Sequence, residues 1–129
     1  MKLPPAVMVH GLEQARAALA PGLAVTLLSG PAAAVYAGVG WWQALVAAAS
    51  GQPPPPHVLD CGEATGRALE ALRAGQRLLV LRAEPRLFHN VAERAAQLGG
   101  AVLAEAPPAL DLAQPGAERR LEAWLRQQA

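Results

Sequence analysis

The chain has 129 residues, of which 53% are hydrophobic and 16% charged, with a net charge of +1, one cysteine, three tryptophans, one tyrosine and one phenylalanine. A length of this order fits one domain, spanning 1–129, with enough chain to bury a core. The composition excludes an internal disulfide or a multi-cysteine metal site, gives no electrostatic case for nucleic acid or anionic lipid, offers no aromatic platform for unpaired bases, and contains no apolar run near the roughly 20 residues that cross a bilayer.

The N-terminal stretch MKLPPAVMVHGLEQ lacks the layout of a signal peptide, because its apolar run is about four residues and stops at His10. A soluble, cytoplasmic protein is therefore expected, with no nucleic-acid or membrane partner and no cofactor. High apolar content with few charges leaves a monomer little polar surface, which points to a homo-oligomer such as a dimer.

In chain order, Lys2 to Pro5 read as a leader and Ala6 to Val9 as a first strand, ended by His10 and Gly11. The helix that follows turns Leu12, Ala15 and Leu19 inward and stops at Pro21-Gly22. Leu23 to Leu28 form a second strand, ended by Ser29 and Gly30. The crossover from Gly30 to Gly51 is the least regular. Pro31 suits a first helical position, and Val35, Val39, Trp42, Val46 and Ala49 keep helical spacing, but Gly38 and Gly40 interrupt it. Each glycine costs about 1 kcal/mol relative to alanine inside a helix. Either one long helix presses its glycines on a neighbour, which is the favoured reading, or a loop runs through Gly40 and the helix starts at Trp41. Pro53 to Pro56 then make a stiff connection.

The stretch HVLDCGEATGRALEALRAGQRLLVLR, His57 to Arg82, is the clearest unit. An apolar run from Val58 ends in Asp60, Cys61 and Gly62, and a second, Leu78 to Leu81, ends in Arg82. Continuous runs of this kind suit strands buried on both faces of a parallel sheet. Between them Ala64, Ala68, Ala71 and Leu72 share a helical face, Glu63 can reach Arg67 at i+4, and Gly75 is placed as a C-cap. A helical crossover of about a dozen residues is what joins parallel strands. Pro85 opens another helix with Phe88, Val91, Ala92, Ala95 and Leu98 inward, and Gly99-Gly100 close it. Ala101 to Ala104 give a fifth strand ending in Glu105, Pro107-Pro108 break the chain, and Ala109 to Leu112 read as an extended or turn segment. A last helix buries Leu121, Trp124 and Leu125 and pairs Glu122 with Arg126.

Five strands alternating with five helices predict an α/β three-layer sandwich on a five-stranded parallel sheet, in flavodoxin-like order 2-1-3-4-5 or Rossmann-like order 3-2-1-4-5. A half-barrel that completes itself by dimerising is the alternative.

In open α/β sheets ligands bind beyond the carboxyl ends of the strands. Those ends here are His10, Ser29, Asp60 with Cys61, Arg82 and Glu105, all polar, and Gly11, Gly30 and Gly62 follow three of them. Glycines between strand and helix let backbone amides face an anion, which the helix dipole favours. Ligand-binding roles are therefore assigned to Gly11, Ser29, Gly30, Gly62, Arg82 and Glu105. His10, Asp60 and Cys61 are the catalytic candidates: order 2-1-3-4-5 sets His10 beside Asp60 and Cys61 as an acid or base near neutrality, and order 3-2-1-4-5 sets it beside Arg82. Cys61 precedes a helix N-terminus, where a thiolate is stabilised. The best reading is a site for a small anionic or phosphate-bearing ligand, with catalysis left open. The alternative is a non-catalytic interaction or oligomerisation module using a tryptophan-rich surface around Trp41, Trp42 and Trp124.

No P-loop or HExxH is present, and GVGWWQ lacks the third glycine of a dinucleotide fingerprint. Asp60 resembles the phosphorylated aspartate of response-regulator receiver domains, yet Val9-His10 stands where that family has an acidic pair and Glu105 where it has a lysine, so the resemblance does not imply a working receiver. ATGRALEALRAGQRLLVLR is similar in rhythm to the later units of phosphate-binding barrels and carries no catalytic residue with it. Across HGLEQA, LLSGPAA, GWWQAL, LDCGEATGRALEALRAG and PPALDL the whole chain resembles a family of small bacterial α/β proteins with no established activity. That resemblance implies a self-contained fold and nothing about substrate.

Overall fold

The computed structural model describes residues 2–127. Its element order is β1 (Ala6–Val9), α1 (Leu12–Leu19), β2 (Thr26–Ser29), α2 (Ala33–Tyr36), α3 (Val39–Ala49), β3 (His57–Asp60), α4 (Thr65–Arg73), β4 (Leu78–Val80), α5 (Pro85–Gln97), β5 (Ala101–Leu103), β6 (Ala109–Asp111) and α6 (Ala117–Arg126). All strand pairings are parallel, in the order β5-β4-β3-β2-β1-β6. The fold is α/β on a parallel sheet, as expected from the alternation. No helix among the described residues is long and apolar enough to cross a membrane.

The sheet has six strands, not five. Ala109 to Asp111, which the sequence leaves between extended and turn, pair with Ala6 to Met8 and supply the second neighbour that β1 would otherwise lack. The order is neither of the two expected. From β1 to β5 each crossover moves one strand over in the same direction, and right-handed crossovers that all step one way set their helices on one face. Buried residues from every helix accordingly join one cluster with Val7, Val9, Leu27, Leu59, Leu79, Leu81 and Leu110. The return from β5 to β6 steps the other way and crosses the opposite face in only five residues, Ala104 to Pro108. There Ala106, with Leu3 of the N-terminal segment, covers Leu28, Val58 and Val80. Met8, Leu78, Leu103 and Ala109 of the strands pack against the same three residues. Both faces of the central strands are covered, which is why their sequences are apolar without alternation.

The crossover after β2 is two helices. Gly38, at φ 101°, breaks the chain between Tyr36 and Val39, a backbone region that side chains other than hydrogen rarely enter. Gly40, which the long-helix reading presses on a neighbour, has open space where a Cβ would stand. Trp42 is completely buried in the main core, and Trp41 and Trp124 pack against it half-buried. The Trp124 Nε1–H donates to the Ala6 carbonyl at 2.8 Å, fastening α6 to the start of β1.

Candidate functional site

The carboxyl ends of the strands gather most of the polar groups expected there, in two clusters with different partners. The first stands over β3 and β4. Asp60 is the last residue of β3, and its side chain is only 3% exposed. Its Oδ1 accepts from the Gly62 amide at 2.8 Å and lies 3.3 Å from Arg82 Nη1, with Oδ2 at 3.5 Å. Ser29 Oγ accepts from the Asp60 amide at 2.9 Å and donates to the Gly30 carbonyl at 3.1 Å. The Arg82 amide donates to the Gly62 carbonyl at 2.8 Å. Gly62 itself has φ 59°, and a Cβ there would sit 3.0 Å from the Ala32 Cβ. Ser29, Asp60, Gly62 and Arg82 are therefore brought together, mainly to hold the turns after β2, β3 and β4 against one another.

The second cluster joins β1 to β6. His10 Nε2 lies 2.8 Å from Asp111 Oδ1, and Asp111 Oδ1 also accepts from the Ala113 amide at 2.9 Å. Burial acts to raise the Asp111 carboxyl, and the Ala113 amide and His10 outweigh it, so the group is held below the usual carboxylate range. The His10 amide donates to Gln14 Oε1 at 2.8 Å, which closes the N-terminus of α1 in place of a side chain on Gly11. The His10 ring lies against Gly30, where a Cβ would come within 2.9 Å of Nδ1.

The expected juxtaposition of His10 is corrected here, and Cys61, Glu105 and Gly11 bond neither cluster through a side chain. His10 does not meet Asp60, Cys61 or Arg82, because β2 lies between β1 and β3; its carboxylate is Asp111, which sequence reasoning missed. The available signal was the acidic Asp111 inside PPALDL, a polar residue closing a short apolar run as at the ends of the other strands. Cys61 is buried, donates weakly to the Leu59 carbonyl at 3.8 Å, and has its thiol pushed up to about 12 by burial and by the charge of Asp60. It is a buried core residue whose surroundings favour the protonated thiol. Glu105 is exposed in the return segment and bonds neither cluster. Gly11 is extended and meets nothing within 4 Å of a built Cβ, so no close approach explains it.

What lies open at this end of the sheet is a groove of about 960 Å³ between α4 and α5, whose wall includes Glu63, Thr65, Arg82, Glu84, Phe88 and His89. Arg82 is 45% exposed there. The N-terminus of α4 opens onto the same space through Thr65 and has no side-chain cap, whereas that of α5 is closed by Glu84, whose Oε1 accepts from the Leu87 amide at 2.8 Å. Among the described residues no group of three histidine, cysteine or acidic side chains is placed to hold a metal ion.

At the opposite end, buried Gln76 donates through Nε2 to the carbonyls of His57 and Leu78 at 3.1 Å each. Burial lowers the His57 imidazole below its ordinary value. No protein family, curated protein or solved structure matches the chain.

Proposed function

We propose that this chain binds a small molecule bearing an anionic group at the carboxyl ends of its strands, in the groove between α4 and α5. The observation that carries this reading is the state of Arg82. One edge of its guanidinium is fixed by the buried Asp60 at 3.3 Å, while nearly half of the side chain faces the groove. An arginine held in this way presents its remaining N–H groups to a carboxylate or phosphate with little ordering left to do. The uncapped first turn of α4 adds amide donors and the positive end of a helix dipole. The volume lies within the roughly 300 to 1,000 Å³ of ordinary ligand sites. Binding is proposed, and no reaction; the bonded histidine–carboxylate pair, His10 with Asp111, lies over β1 and β6 and does not line this groove.

A thermal-shift series of carboxylates and phosphates tests the reading. A ligand at 100 times its Kd adds about 2.7 kcal/mol to stability, and Arg82→Lys, which keeps the charge beside Asp60 but loses the planar fork, should weaken the response. Absence of any shift across the series would sink it. The alternative of an interaction module on a tryptophan-rich surface has less support, because Trp42 is buried and Trp41 and Trp124 are turned largely into the core.

A further inference from the structure

The groove that holds Arg82 is not a positive pocket. The charge of Arg82 is already matched by Asp60 behind it. Two carboxylates, Glu63 and Glu84, share the wall. Glu84 is engaged in capping α5. Glu63 is different: the Arg67 guanidinium that could have paired with it at i+4 turns to Glu70 instead, and no other described residue bonds its carboxylate. Glu63 is therefore a free anion lining the groove beside a half-occupied cation.

The two are also neighbours by construction. The Arg82 amide donates to the Gly62 carbonyl at 2.8 Å, so the end of β4 is laced to the turn that carries Glu63 as its next residue. A ligand with only an anionic group would meet Arg82 and be repelled by the two glutamates. One with only an amine would meet Glu63 and be repelled by Arg82. Like-charge juxtaposition of this kind discriminates between ligands more strongly than the attractive contact does.

Resting on the reading of this groove as the anion site, we propose that its ligand is a zwitterion of the amino-acid type. Its carboxylate meets Arg82 and the first-turn amides of α4, and its ammonium group meets Glu63. An apolar side chain lies along Leu87, Phe88 and Ala92, the accessible apolar part of the same wall. An α-amino acid carries both charged groups on a single carbon, which suits two protein groups set on adjacent, hydrogen-bonded turns.

Calorimetry and amide NMR on the full chain decide this with L-phenylalanine, L-leucine and L-methionine as probes, and 3-phenylpropanoate and phenethylamine as the forms of phenylalanine lacking one charge each. At least one amino acid should bind and shift the amides of Thr65, Ala83 and Glu84. When it is phenylalanine, each single-charge form should bind at least tenfold more weakly. Glu63→Gln, an exposed change that leaves the amide spectrum dispersed, should bring phenylalanine down to the level of 3-phenylpropanoate. If 3-phenylpropanoate binds as well as phenylalanine and Glu63→Gln alters neither, the zwitterion is overturned and the anion site stands. Tighter binding of O-phosphoethanolamine than of every amino acid would overturn the amino-acid assignment. If none of these probes moves the groove amides, the amino-acid assignment is overturned, and the anion site itself falls only if the carboxylate and phosphate series also gives no shift.

Discussion

The turns over β2 and β3 and the groove over β4 are built from the same kind of residue, polar groups at strand ends, and put them to opposite use. Over β2 and β3, Ser29, Asp60 and Gly62 bond one another and leave nothing facing outward. Over β4, Arg82 gives one edge to that network and keeps the rest exposed. The difference lies in reach. A serine hydroxyl or an aspartate carboxylate at a strand end is short enough to be consumed by the amides of the next turn, whereas an arginine spans from the buried network to open space. Polar strand ends locate the functional end of a parallel sheet; the length and residual valence of each side chain decide which of them is available to a ligand.

Removing the centre of the closed network should have the largest effect. Asp60→Ala strips the Gly62 amide of its acceptor in a buried setting and leaves Arg82 without its anchor, at a cost of about 2 to 3 kcal/mol in urea unfolding. Asp60→Asn retains an oxygen for Gly62 and should cost about 1 kcal/mol. If the two variants are equally stable, the hydrogen bond to Gly62 does not hold this turn.

The contact between the turns after β2 and β3 comes next. Gly62→Ala places a side chain at φ 59° and 3.0 Å from the Ala32 Cβ, and should cost about 2 kcal/mol from left-handed backbone and crowding together. Ala32 is itself left-handed, at φ 55°, so Ala32→Gly should raise stability by about 1 kcal/mol. The pair should couple: in the Ala32→Gly background, Gly62→Ala should cost less than it does alone. Strict additivity in thermal unfolding would show that the two turns do not press on each other.

Much of this was legible beforehand, and what escaped has a common cause. The βαβ rhythm, the parallel sheet and the glycines that close α4 and α5 follow from patterns local to one unit, whereas the meeting of Asp60 with Arg82 needed β3 to pair with β4, which only one of the two expected orders provides. The placement of His10 depended on strand order, which is a matter of long-range pairing that periodicity does not encode. β6 is three residues after a double proline, too short to announce itself, and it is recognisable only once β1 is known to need a second partner. The role of Cys61 turned on burial, since a thiol before a helix looks the same whether it faces solvent or the core. The break at Gly38 was visible as an interruption, but helical spacing on both sides of it masked that the chain turns there.

The smallest expected effect separates the second cluster from the first. Asp111 is held below the ordinary carboxylate range in the folded chain, so its ionised form contributes stability above the unfolded value, about 3.9, and that contribution disappears as pH falls through the folded value. Asp111→Asn keeps an oxygen for the Ala113 amide and removes only the charge. The gap in Tm between the two proteins should therefore be a few degrees at most between pH 5 and 7 and should close as the medium is acidified below about pH 4. A gap that persists unchanged at pH 3 would mean that asparagine disturbs the turn itself. A gap absent at pH 6 would mean that His10 and Asp111 sit side by side without binding β6 to β1 through charge, leaving the three ladder pairs of β6 and the Trp124 bond to Ala6 to hold that edge of the sheet.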